Sequence, residues 1–144
     1  MRRTLFMLGL TLAIGVALGA IGGQGLNAQQ APVKGSELLK ADMAGVDGKE
    51  LVVRLADIAP GAAAGKHYHV GHEVFYVLEG SGILEVEGKS PVPLKPGNTV
   101  YMPPKQVHEG KNTSTTDRLK VLVFVVHEKG QPAAVRLTEP HFLK

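Results

Sequence analysis

From Glu37 onward, hydrophobic and polar positions trade places every one or two residues, and the alternation is interrupted at short intervals by Gly and Pro. Leu39, Ala41 and Met43 are separated by polar or small residues, and Asp47-Gly48 is a turn signal. A second run sets Leu51, Val53 and Leu55 against Val52, Arg54 and Ala56. It ends at Pro60-Gly61 and is followed by the small residues Ala62 to Gly65. Glu73 to Leu78 is rich in β-branched and aromatic residues and is closed by Gly80. Ile83 to Glu87 puts Leu84 and Val86 on one face and Glu85 and Glu87 on the other. Gly88-Lys89 and Pro96-Gly97 turn the chain, and Thr99 to Met102 is a short strand ended by Pro103-Pro104. Val121 to Val126 is apolar without a break, the pattern of a strand buried on both faces. Short strands, frequent turn signals and no helical period predict one all-β domain, a sandwich or barrel, with no internal repeat.

Before this domain the pattern is different. Residues 1–28 read as a signal peptide: Arg2-Arg3, an uncharged apolar run from Leu5 to about Ile21, then small and polar residues. Leu26-Asn27-Ala28 is the expected cleavage site, with Gly23-Gln24-Gly25 as the alternative. The competing reading is an uncleaved membrane anchor, against which the glycines of the run weigh. The arginine pair also admits twin-arginine export. Residues 29–36 read as a linker and 37–144 as the domain, so the mature protein is expected to be periplasmic or extracellular, with no stable membrane association.

Charge narrows the partners. Lys and Arg number 16 against 13 acidic residues; setting aside Arg2 and Arg3 leaves 14, a formal +1. The basic residues are spread evenly, without the stripe that follows a phosphate backbone, so nucleic acid is not an expected partner. The chain has no cysteine. Disulfides and a thioether lipid anchor are therefore excluded, and any metal ligands have to be nitrogen or oxygen donors.

Such donors are present. His67 and His69 share a strand face by their spacing, and Glu73 keeps the same parity four residues on, although Gly71 interrupts strict strand geometry. His108 lies 35 residues beyond Glu73 and has to arrive from another strand. Three imidazoles and a carboxylate form the donor set of one divalent transition metal ion: Mn, Fe, Co, Ni, Cu or Zn. A carboxylate buried beside three histidines is costly without a cation. If these residues point inward, so do Phe75 and Val77, and by alternation Leu84, Val86, Val100 and Met102 complete an apolar pocket. His72 has outward parity; His127 and His141 read as solvent-facing.

Here the sequence resembles the cupin superfamily. Gly61, His67, His69, Glu73 and Gly80 fit its first motif, and Gly97, Pro103, His108 and Asn112 its second. One position departs: Lys105 stands where a turn glycine is expected. The motifs are separated by the 16 residues from Ser81 to Pro96, as in small single-domain cupins. The resemblance implies a cupin-type β-jelly roll with a metal in the barrel held by His67, His69, Glu73 and His108, and frequently a homodimer. It also implies a range of activities from dioxygenases and isomerases to non-catalytic binders. Four protein ligands on a six-coordinate ion would leave positions for a small organic substrate or dioxygen, which points to a metal-dependent enzyme. The alternative is a binding protein for a small ligand or for the metal itself. No basic group or spare carboxylate is clearly placed inside to orient an anionic substrate; Arg54 and Tyr101 are the only candidates, and alternation does not set their direction.

Overall fold

The structure is a computed structural model that describes residues 32–137; the signal-peptide and His141 readings fall outside them. Ten strands follow in order: β1 Val33–Asp42, β2 Lys49–Ile58, β3 His67–Tyr68, β4 His72–Glu79, β5 Gly82–Val86, β6 Val92–Leu94, β7 Thr99–Met102, β8 His108–Asn112, β9 Leu119–Glu128 and β10 Val135–Arg136. All pair antiparallel, in two five-stranded sheets ordered β1-β2-β9-β4-β7 and β10-β3-β8-β5-β6. No helix occurs among the described residues. This is the all-β architecture expected from the alternation and the jelly roll implied by the cupin resemblance, and the core lies between the two sheets.

The inward rows show how alternation makes the core. Phe75 and Val77 of β4, Leu84 and Val86 of β5, Met102 of β7, and Leu119 and Val121 of β9 are buried in one cluster with Ile58 and Leu94. Burying an aliphatic or aromatic side chain contributes about 1.5–3 kcal/mol, so these residues dominate the stability of the barrel. Gly80 closes β4 at φ +81°, where a Cβ would stand 2.3 Å from the Arg118 carbonyl oxygen, so glycine is required on both conformational and steric grounds.

Two sequence expectations need correction, and one strand, β6, was not foreseen. β1 begins at Val33, so Val33–Ser36, read as linker, belong to the sheet; their main chain pairs with Leu55–Ile58. Backbone pairing does not need side-chain alternation, so composition did not reveal it. β6 escaped because Val92, Pro93 and Leu94 are too few to show a period. The apolar run 121–126 is not buried on both faces. Val121 and Val125 are buried, whereas Leu122, Phe124 and Val126 are half-buried on the outside of the sheet. β9 is the central strand, and these outer residues are screened sideways by their neighbours, as Phe124 is by Val53 and Val74.

Candidate metal centre

The second sheet brings the histidines together. β3 and β8 pair with His67 directly opposite His108, while β5 flanks β8 on its other side, Val86 opposite His108. His69 follows β3 immediately. Glu73 comes from the facing sheet, on β4 between Val125 of β9 and Met102 of β7. One ring nitrogen from each of His67, His69 and His108 lies within 4.8 Å of the others. The Glu73 carboxylate reaches into the same group, 3.4 Å from His69 Nε2 and 3.3 Å from His108 Nε2.

Each imidazole is held in one tautomer. Nδ1–H donates to a main-chain carbonyl in all three: His67 to Gly65 at 2.7 Å, His69 to Ala133 at 2.5 Å, and His108 to Gln106 at 3.0 Å. That leaves every Nε2 as a lone pair, which is how a second hydrogen bond prepares a histidine to ligate. His69 Nε2 and Glu73 Oε2 are buried and have no hydrogen-bond partner. Orphaned buried acceptors of this kind fit a cation in their midst.

The electrostatics agree. Burial raises the pKa of Glu73 to about 8. Burial also lowers His69 to about 4, against a smaller opposing effect of its bond to Ala133. His67 and His108 are likewise depressed by burial. In the absence of a positive charge the cluster therefore tends to a neutral acid among neutral imidazoles.

Gly71 sets the spacing between His69 and Glu73. A Cβ there would stand 2.0 Å from the Val126 carbonyl oxygen and 2.6 Å from His127 Cβ, so the loop can pass over β9 only as glycine. Lys105 makes its turn without glycine, in the left-handed conformation at φ +62°, and its N–H donates to the His69 carbonyl at 2.8 Å. Asn112 is a turn residue: it is buried, donates to the Ile58 and Asp117 carbonyls and accepts from Ser114 N–H.

The histidines and Glu73 form part of the wall of a cavity of about 420 Å³. Of the pocket residues expected from alternation, Phe75 and Leu84 line it. Val77, Val86 and Met102 are buried in the adjoining core, and Val100 packs against that core. Inward parity holds for all six, but parity does not say which inward residue meets open space. The cavity lies towards β1, β2 and β9, whereas Val100 and Met102 sit on β7 at the far edge of the sheet. Sequence reasoning missed Ile58, Leu94, Leu119, Val121 and Val123 in the lining, and Arg136 of β10. Arg54 also lines it, while Tyr101 is exposed outside and accepts or donates at His72 Nδ1, 2.7 Å away. His127, expected in solvent, is 2% exposed, because its position on β9 points it inward beneath Gly71.

Comparison with known proteins follows the same lines. The family model described as a cupin domain matches residues 54–125, which contain both motifs and all four candidate ligands. The chain is a cupin. Auxin-binding protein 1 of Arabidopsis thaliana is 38% identical over 85 residues, covering 54% of this chain and 42% of that protein. The chain thus spans less than half the length of the curated relatives it matches. Among solved structures, a cupin-like protein of Thermotoga maritima is 27% identical with a TM-score of 0.58, covering 73% of this chain and 75% of that one. The DMSP lyase DddQ of Ruegeria pomeroyi, at 22% identity, TM-score 0.60 and coverage of 79% and 56%, shares the fold.

Proposed function

We propose that this cupin is an exported, mononuclear metal-binding protein that acts as a metal-dependent enzyme, of dioxygenase type, on a small organic substrate. The observation that carries the reading is the set of three Nε2 lone pairs, each fixed by an Nδ1 bond to the main chain, converging with the buried Glu73 carboxylate on an otherwise largely apolar cavity. His67, His69, Glu73 and His108 would hold the ion. When bound, a first-row metal there supplies Lewis-acid activation of a substrate oxygen or of dioxygen. The chain's own contributions are to keep the imidazoles neutral and oriented, to release the Glu73 proton as the cation enters, and to keep bulk water away with Phe75 and Leu84.

A second reading, a non-catalytic binder of a small ligand, has the 38% identity to a protein named for auxin binding in its favour. The test begins with elemental analysis of protein purified from its own compartment without a chelating column. About one equivalent of a transition metal supports the site, and none removes it. Oxygen uptake with small phenolic, thiol and diketone compounds then separates the readings: turnover supports the enzyme, and unchanged recovery of a bound compound supports the binder. Export rests on residues 1–28 and is tested by the mature N-terminus of the secreted protein. The homodimer implied by the family resemblance would cover the outer face of the first sheet, where Val74, Tyr76, Leu78 and Tyr101 are exposed. A monomer in sedimentation equilibrium removes it.

A further inference from the structure

Arg54 has no role in holding the candidate ligands, yet it lies in the cavity wall with them. It projects from the inner face of β2, in register between Val123 of β9 and Glu37 of β1. Its guanidinium lies across Gly35 of β1: Nη2 is 3.2 Å from the place where a Cβ would stand on that glycine. A side chain on that glycine would press on the group and shift it by a few tenths of an ångström.

Arg54 is half-buried, and among the described residues its guanidinium has no hydrogen bond and no ion pair. The other arginine in the wall is committed, since Arg136 Nη1 donates to the Ala64 carbonyl at 2.7 Å. Arg118, outside the cavity, is bound to Asp57. Val123 lies beside it on β9, and the cavity wall it shares includes the apolar Phe75, Leu84 and Leu119. Glu37, its cross-strand neighbour on β1, is exposed and makes no ion pair with it among the described residues, and Glu73 in the same cavity is engaged with His69 and His108. A cavity that holds an unpaired guanidinium among hydrocarbon side chains is short of one anion.

We propose that Arg54 is the specificity-determining residue of this cavity and selects a small monocarboxylate with an apolar body, its fork receiving the carboxylate while Phe75, Leu84 and their neighbours enclose the rest. Guanidinium and carboxylate match as two parallel N–H···O bonds. A single free guanidinium suits one negative charge, and Glu73 in the same cavity disfavours a dianion such as a phosphate monoester. The volume of about 420 Å³ is within the usual range of small-molecule sites. This assignment rests on the reading of the cavity as a ligand site, but not on the metal being present.

The experiment is calorimetric titration with 3-phenylpropionate and its amide, run on the protein with its metal and again after chelation. The acid should bind at least about tenfold more tightly than the amide in both forms, the worth of one charge-assisted contact. Arg54→Gln should bring acid and amide to within about threefold of each other, and Arg54→Lys should keep part of the preference because it retains charge without the fork. Circular dichroism of each variant checks the fold, and the lysine variant keeps the test alive should the glutamine variant unfold. Equal binding of acid and amide, binding of neither, or a preference that survives Arg54→Gln overturns the proposal. A protein that holds no metal but keeps an Arg54-dependent preference would remove the metal reading and leave this one standing.

Discussion

Two buried glutamates face histidines in this barrel, and they are handled in opposite ways. Glu50, 1% exposed, is met by the Lys40 ammonium at 3.1 Å and the Gly130 N–H at 3.2 Å, with His127 Nε2 at 3.7 Å. Burial pushes its pKa up, but these partners, Lys40 foremost, outweigh it and leave the carboxyl below its usual range. Glu73, 2% exposed, has no cationic side chain beside it among the described residues, only imidazoles whose own charging is suppressed by burial. The first glutamate has its counter-charge built into the chain; the second is arranged to receive one. A buried carboxylate is thus not by itself a sign of a site. The informative feature is the absence of a resident cation next to it.

The largest effect should be on metal content. His69→Ala or His108→Ala should weaken metal binding by more than the ~100-fold typical of losing an outer partner, whereas His127→Gln should leave occupancy near that of the parent protein. Elemental analysis after dialysis reads both, and equal losses would erase the distinction between the clusters.

Glu73→Gln and Glu50→Gln should move stability in opposite directions once metal is removed. Folding raises the pKa of Glu73 from 4.5 to about 8, so its ionised form opposes folding. Its contribution falls as pH rises through that window, and from pH 6.5 to 8 the loss is about 2 kcal/mol at about 1.4 per unit. The histidines act on the acid side: their depressed pKa values cost stability as pH falls below 6.5, through about 4 for His69. Chelated protein should therefore be most stable near pH 6, and Glu73→Gln should abolish the alkaline decline. Urea unfolding across pH measures this, and a flat alkaline limb in the parent protein would count against it. Glu50 has a depressed pKa and contributes stability above its usual titration range, so Glu50→Gln should destabilise.

Gly71 is where the two clusters meet, and Gly71→Ala should cost about 1–3 kcal/mol by forcing the loop off Val126 and His127, with weakened metal binding as a consequence. The smallest expected change is a gain. Lys105 carries positive-φ strain on the side of the candidate metal centre, and Lys105→Gly should stabilise by about 1 kcal/mol, visible as a raised denaturant midpoint.

Much of this was legible beforehand. Period-two alternation is local, so the inward parity of Phe75, Val77, Leu84 and Val86 could be read from neighbours alone. The His67, His69 and Glu73 spacing is equally local. His127 was misjudged because its surroundings are Gly71 and Glu50, residues distant in sequence that only strand pairing brings to it. The linker reading of Val33–Ser36 failed for a related reason: edge pairing to β2 uses main-chain groups that every residue has.

By itself the sequence determined an all-β domain, through its period-two alternation, and the cupin motifs with the four candidate ligands, through residue types at fixed spacings, from which the resemblance implied the jelly roll. Tertiary structure alone decided that the Ala133 carbonyl orients His69, that the cavity lies towards β1, β2 and β9, and that Arg54 stands unpaired in its wall. Those facts depend on which strands lie side by side and in what register. That is a property of the closed barrel, built from contacts between residues far apart along the chain.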